Sequence, residues 1–462
     1  MDKSKFSFSE VADYANRYRS NGASIHAAGT AESLRKSLCI DLNDRPIEGD
    51  TVIKQLTDAV EPGLVRNTDP GFFAWVMGAS DPVGVAADWL TSIWGQNSAI
   101  YQTAPASAIA EEAVSAWLLD LLDLPRQSSV AFVTGATMAG FVGLAAARSE
   151  VLRRAGHDFD ADGLQNAPPV RIFVSDDTHV SNLAALRYLG FGHANIVSIP
   201  SDRRGLMQIP DLSTALSAHD GPKIILSQAG HINSGGFEDY VALADLRTDH
   251  RAWLHVDGAF GLWARILPEK NHLTTGLDLA DSWSVDGHKW LQLPYDSGFA
   301  IVRDETAHIR AMTKEAGYFN RNPDDGRNPT QFNPELSRRA RSFAAWAVIR
   351  HLGREGIIDI VRNHCEAAAR LAAELKDLSG FSVLEPVELN QVILTSDDPD
   401  RDHTMGELAA RINADERFFV RTAQWKSRTV LRISIISQNA DETLLAQLAD
   451  KIKAECQRLH NS

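Results

Sequence analysis

The chain has 462 residues, of which 44% are hydrophobic and 23% charged, and its formal net charge is −14. Such a composition supports a large folded core and excludes a mainly disordered chain. The acidic balance argues against a sequence-independent nucleic-acid binder and against an anionic membrane surface as partner.

Cys39, Cys365 and Cys456 are far apart, without CxxC or Cys/His zinc spacing, which argues against a structural metal site and fits a reducing compartment. Residues 1–18 are charged and lack an apolar core, and no apolar run reaches 18 residues, so neither a signal peptide nor a membrane span is expected. The expected location is cytoplasmic.

In chain order, the first 65 residues read as helices joined by turns. The stretch 84–125 reads as strongly helical, with Ile109, Ala113, Trp117, Leu118 and Leu121 near a 3.6-residue spacing and Pro125 as the stop. Seven short apolar runs follow, at 129–135, 170–176, 195–200, 223–228, 253–258, 282–287 and 298–304. Most of the gaps between them are long enough for a crossover helix, which predicts a mostly parallel sheet with helices on both faces. Residues 314–334 read as a long polar loop, the kind that often serves as a lid. Helices are expected at 335–353, 366–378 and 441–459, and strands within 381–386, 390–396 and 429–437. The predicted organisation is a helical N-terminal arm (1–85), a large α/β domain (86–340) and a small α+β domain (341–462).

In a parallel sheet, ligands sit beyond the carboxyl ends of the strands. Asp257 closes one run, and Lys289 follows the end of another. A lysine and a carboxylate at neighbouring strand ends suit pyridoxal phosphate, which needs an amine for its Schiff base and an acid to keep its pyridine nitrogen protonated. The same pair would also serve as a buried ion pair. The run 132–148 passes from a strand through Gly135 into a small-residue helix, so the N–H groups of Ala136 and Thr137 could cradle a phosphate. It would equally serve as an ordinary turn capped by Thr137. His179, just after a strand end, could stack on a flat ring or simply cap a helix. A GxGxxG dinucleotide fingerprint is missing.

Five segments together resemble the group II pyridoxal-phosphate-dependent amino-acid decarboxylases, the family of aromatic-L-amino-acid and glutamate decarboxylases. They are DPGFFAWVMG (69–78), ILSQAGHINSGGFED (225–239), WLHVDGAFGLWAR (253–265), SWSVDGHKWLQLPYDSGFAIVRD (282–304) and ELSRRARSFAAWAVIRHLG (335–353). The resemblance spans roughly residues 50–440. It implies the fold of fold-type I pyridoxal-phosphate enzymes, which is aspartate aminotransferase-like, with a seven-stranded sheet. It also implies a homodimer with sites at the subunit interface.

Residue by residue, the resemblance places Lys289 as the Schiff-base lysine and His288 as the histidine before it. Asp257 becomes the partner of the pyridine nitrogen, His179 the ring-stacking histidine, and Ala136 with Thr137 the phosphate pair. Tyr318 falls where the mobile loop carries its catalytic tyrosine, although a loop tyrosine can also merely anchor a turn.

Three positions depart from the family pattern. Ile232 stands where the aromatic decarboxylases have a threonine, which leaves Asn233 or Gln228 to supply that hydrogen bond. Asp286 stands where some relatives have a phosphate-contacting asparagine, so its anionic side chain is expected to point elsewhere or share a proton. Asp69 replaces a frequent histidine.

Phe72, Phe73 and Trp75 would wall the substrate site if that segment lines it, which favours an aromatic or bulky substrate; core packing is their other role. An acidic substrate such as glutamate or aspartate would need a dedicated cation, for which Arg338 and Arg432 are available; holding the loop or the dimer is their other role. The expected reaction is decarboxylation of an L-amino acid to the amine and CO2. An aminotransferase, an aldehyde synthase or another lyase would share the fold, as would a non-catalytic pyridoxal-phosphate carrier.

Overall fold

The computed structural model describes residues 7–20, 22, 24–313, 326–437 and 439–461. Three short helices lead, α1 (Ser9–Ser20), α2 (Ala31–Leu38) and α3 (Gly49–Val60), none with a buried residue. The expected helix over 84–125 is two helices, α4 (Pro82–Trp94) and α5 (Pro105–Leu121). The Asp81 carboxylate caps α4 by accepting from the Val83 N–H, and Pro82 fits the first turn. Gly95 ends it at φ +61, a left-handed turn that favours glycine. On α5 the expected stripe is split. Leu118 and Leu121 are buried with Val114, whereas Ile109 is exposed and Ala113 and Trp117 are half-buried.

The large sheet then alternates with its helices: β1 (Ser129–Val133), α6 (Ala136–Arg154), the single turn α7 (Phe159–Asp162), β2 (Arg171–Ser175), α8 (Val180–Tyr188), β3 (Ile196–Ile199), α9 (Ile209–Ser217), β4 (Lys223–Gln228), α10 (Tyr240–Asp249), β5 (Trp253–Asp257), the single turn α11 (Asn271–Thr274), β6 (Ser282–Asp286), β7 (Gly298–Val302) and α12 (Glu305–Met312). The seven strands are ordered β1-β7-β6-β5-β4-β2-β3. β6, β5, β4, β2 and β3 run parallel, and β7 is antiparallel to both its neighbours. Every residue of β1, β4, β5, β6 and β7 is buried, as a sheet covered on both faces requires.

The rest of the chain builds α13 (Ser342–Glu374), β8 (Phe381–Val383), β9 (Gln391–Ser396), α14 (Thr404–Asn413), β10 (Arg421–Trp425), β11 (Arg428–Ser434) and α15 (Glu442–His460). The second sheet is antiparallel, in the order β10-β11-β9-β8. Two expected helices, at 335–353 and 366–378, are one helix here. α13 starts only at Ser342 and continues through a kink at Gly353.

Candidate active site

The polar residues that close the parallel strands share one end of the sheet. Gln228 ends β4, Asp257 ends β5 and Asp286 ends β6; Gln228 pairs with Asp257 in register. The turn after β6 carries His288 and Lys289. Across β1, the turn into α6 places Gly135 so close that a Cβ there would stand 2.9 Å from the His288 ring and 3.1 Å from the Asp286 carboxylate. Only a bare backbone fits this approach. Together these elements enclose a cavity of about 290 Å³, lined among others by Ala136, Thr137, His179, Asp257, His288 and Lys289.

Asp257 is held from three sides. Its Oδ2 accepts from Asn182 Nδ2 at 2.6 Å, and its Oδ1 accepts from the Ala259 N–H at 3.1 Å and from Ser284 Oγ at 3.3 Å. His179 is both the N-cap of α8 and a wall of the cavity. Its Nδ1 accepts from the Ser181 N–H at 3.3 Å and lies 2.7 Å from Ser181 Oγ. A neutral imidazole that accepts at Nδ1 carries its hydrogen on Nε2. Burial pushes the His179 pKa down, with the Asp257 charge partly opposing it. Burial likewise lowers His288, whose Nδ1 accepts from the Ser297 N–H at 3.3 Å and whose ring stacks on Tyr295 at 4.3 Å.

Lys289 does not pair with Asp257. Its Nζ lies 2.8 Å from Asp286 Oδ2 and 5.7 Å from the Phe260 ring centroid. Asp286 does not point elsewhere, as expected from its charge. It faces the cavity, and its Oδ1 accepts from the Ala136 N–H at 2.5 Å.

This arrangement fits pyridoxal phosphate. It offers an amine, a fixed carboxylate, a flat imidazole and helix N-terminal N–H groups at one strand end. The Gln228 Nε2 donor, on the cavity lining, is buried without a hydrogen-bond partner among the described residues. A ring oxygen would satisfy it.

The pattern described as "Pyridoxal-dependent decarboxylase conserved domain" matches residues 32–395. The chain belongs to this family. It is thus a pyridoxal-phosphate-dependent decarboxylase, a lyase. It is 26% identical to the aromatic-L-amino-acid decarboxylase of Bacillus atrophaeus, over 96% of this chain and 92% of that protein. It is also 26% identical to the 4-hydroxyphenylacetaldehyde synthase of Rhodiola rosea, over 86% and 84%. A crystal structure of Oryza sativa TDC with PLP and tryptamine superposes with a TM-score of 0.89 at 23% identity, covering 98% of this chain and 96% of that one. The fold is therefore that of the pyridoxal-phosphate decarboxylases.

Other residues singled out in this decarboxylase lie away from the cavity. Phe72 stacks on Phe419 at 4.9 Å, and Phe73 packs near Phe418 at 6.5 Å. Both rings are buried in contact with residues that lead into β10. The burial stabilises that packing by about 2 kcal/mol per ring, and it fits the core-packing role that was the other reading of these rings. Trp75 is 43% exposed and neighbours Phe419 and Arg421. Only the end of that segment nears the lysine turn: a Cβ on Gly78 would stand 2.3 Å from the Lys289 carbonyl oxygen.

Arg338 has a structural role within the chain. Its guanidinium is buried against Glu111 at 2.6 Å and donates to the Ser98 and Phe132 carbonyls, each at 2.8 Å. It ties α5 to β1 instead of facing a substrate. Asn233 turns to the second sheet and accepts from Arg432 Nη1 at 2.9 Å. Tyr318 lies outside the described residues.

Sequence reasoning missed Ser181 and Asn182, which orient His179 and Asp257. The available signal was positional. Both stand in the first turn of a helix whose cap faces the strand ends. It also missed Phe260, Ser284 and Tyr295.

Proposed function

We propose that this decarboxylase converts an aromatic L-amino acid to CO2 and the corresponding amine, with Lys289, Asp257 and His179 as its working residues. The observation that carries this reading is their convergence on one strand-end cavity with the N–H groups of Ala136 and Thr137. Pyridoxal phosphate, when bound, supplies an aldehyde that captures amines and a cationic ring that draws electron density from the substrate Cα.

The chain's residues do the rest. Lys289, which lies against Asp286, would hold the cofactor through its amine. Asp257, fixed by Asn182, Ala259 and Ser284, keeps a proton on the pyridine nitrogen. His179, a wall of the cavity, would face the cofactor ring and offer its Nε2–H to the substrate carboxylate. His288 and the α6 turn fix the phosphate end, which orients the bond to be broken. Tyr318 supplies the proton that Cα takes up after CO2 departs.

The aromatic substrate is favoured by relatives named as aromatic-L-amino-acid, tryptophan and tyrosine decarboxylases. The division into an N-terminal arm to 85, a large domain to 340 and a small domain beyond it is part of the same reading.

A homodimer is the second part of the proposal. Trp89, Leu90, Ile93 and Trp94 on α4, Ile109 on α5 and Trp346 on α13 are all exposed, and the Trp346 ring lies tilted against Trp117 at 6.1 Å. An apolar face of this kind calls for a protein partner. The arm adds exposed Leu38, Ile40, Leu42, Val52 and Leu56. No helix among the described residues is long and apolar enough to cross a membrane; the cytoplasm is the proposed location.

The test is CO2 and amine release from L-tryptophan, L-tyrosine, L-phenylalanine and L-DOPA, set against glutamate, aspartate and 2,4-diaminobutyrate. Amine from the aromatic group alone is expected. Release only from the acidic or basic amino acids would overturn the substrate assignment, and aldehyde in place of amine would overturn the assigned product.

A further inference from the structure

The large sheet is polar on its α6 side, next to Asp257, where the opposite side is apolar. Alternation along β5 turns His255 and Asp257 to one face, while Leu254 and Val256 enter the main core on the other. On β6, Ser282 pairs with His255 and Ser284 with Asp257. α6 covers this polar file through glycines: a Cβ on Gly143 would stand 2.9 Å from the His255 ring and 3.3 Å from Ser282 Oγ.

His255 is fully buried, and its neighbours fix where its hydrogen sits. Trp253 Nε1 can only donate, and it does so to Ser282 Oγ at 2.8 Å. The serine's own hydrogen then goes to His255 Nδ1, also at 2.8 Å. Burial keeps the ring neutral, pushing its pKa down to about 4 against the pull of the Asp257 charge. A neutral imidazole that accepts at Nδ1 carries its hydrogen on Nε2. That buried donor has no hydrogen-bond partner among the described residues, which costs free energy.

An acceptor stands close by. The Asp257 carboxylate only accepts, so Asn182 turns Nδ2 toward it, at 2.6 Å, and Oδ1 away. Asn182 Oδ1 borders the same small space as the histidine: a Cβ on Gly140 would stand 3.5 Å from that oxygen and 3.9 Å from His255 Nε2.

We propose that His255 is a positioning residue for Asp257: its Nε2–H attracts Asn182 Oδ1 and so holds the amide with Nδ2 on the carboxylate. The inference rests on the reading of Asp257 as the partner of the cofactor's pyridine nitrogen. A flipped amide would set its oxygen against the carboxylate oxygens, and like partial charges repel. His255 disfavours that flip because it offers Oδ1 a donor and Nδ2 none. The support runs from Trp253 through Ser282, His255 and Asn182 to Asp257, and it keeps the negative charge where the pyridine nitrogen needs it.

The experiment loads the protein with pyridoxal phosphate isotopically labelled at its ring nitrogen. NMR reads the protonation of that nitrogen, and visible absorbance gives the cofactor Kd. The nitrogen is expected to be protonated in the wild type. His255→Phe keeps an aromatic ring but no donor, and should lower the protonated fraction and weaken the Kd about tenfold. His255→Gln, which returns an N–H at similar reach, should recover both. Asn182→Leu should show the same loss, and adding His255→Phe to it should cost nothing more. Wild-type behaviour in His255→Phe, no recovery in His255→Gln, or losses that add in the double variant would each overturn the inference. The wild type decides if the variants fail to fold, since NMR of its His255 imidazole must show hydrogen on Nε2 and none on Nδ1; the opposite tautomer would overturn the inference. Failure of the wild type to bind pyridoxal phosphate at all would instead overturn the site assignment, and this inference with it.

Discussion

The carboxyl end of the parallel strands and the face built by α4, α5 and α13 depart from an ordinary interior and an ordinary surface in opposite senses. The first is polar and buried or half-buried. It holds Asp257, Asp286, Lys289 and two histidines, with a donor on Gln228 still unpartnered among the described residues. The second is exposed and apolar, with Trp89, Leu90, Ile93, Trp94, Ile109 and Trp346 open to solvent. A buried polar cluster asks for a small ligand that completes its hydrogen bonds. An open apolar face asks for a protein that removes it from water. The contrast teaches that cofactor and partner are recognised by different physics on one chain, so each can be removed separately.

The largest effect is expected at the polar end. Lys289→Ala should lower CO2 release by more than about a hundredfold and abolish the visible absorbance of the cofactor–lysine bond. Its sedimentation should match the wild type, because the apolar face is untouched. A dissociated variant would break the comparison.

At the apolar face, Ile93→Asp combined with Trp94→Asp should shift the protein toward monomer in sedimentation, since charges would be buried without partners. Activity should fall with the dimer if the site is completed at the interface. Full activity in a monomer would separate the two regions entirely.

The smallest effect is expected from Ser181→Ala. The Ser181 hydroxyl donates to His179 Nδ1 and so stabilises the neutral imidazole. Without it the His179 pKa should rise from its lowered position toward the ordinary value. The acid limb of the rate profile, where activity falls as His179 gains a proton, should then move to higher pH. Activity at neutral pH should drop only a few-fold, roughly the cost of one hydrogen bond. An unmoved acid limb would remove Ser181 from the account.

The strand ends were legible in the sequence because a buried parallel strand is a short apolar run, and its first polar residue marks the ligand side of the sheet. Asp257, Lys289 and His179 announce themselves in that way. Aromatic character alone carries no such positional information. Phe72 and Phe73 fit a core as readily as a pocket, and here they pack against Phe419 and Phe418. Arg338 was equally ambiguous, because a buried guanidinium serves Glu111 as well as it would a substrate carboxylate.

β10 (Arg421–Trp425) escaped notice because it is an edge strand with mostly exposed side chains and no apolar run. The continuity of α13 was hidden by Gly353, which bends the helix without ending it. The direction of Asp286 depended on the approach of Gly135 across the sheet, a contact between residues far apart in the chain.

The central claim is that Lys289 is the residue that holds the cofactor. Its most direct test is borohydride reduction of the protein loaded with pyridoxal phosphate, followed by peptide mapping. The account predicts a single reduced adduct on Lys289. An adduct on a different lysine, or none in a protein that still releases CO2, would contradict it.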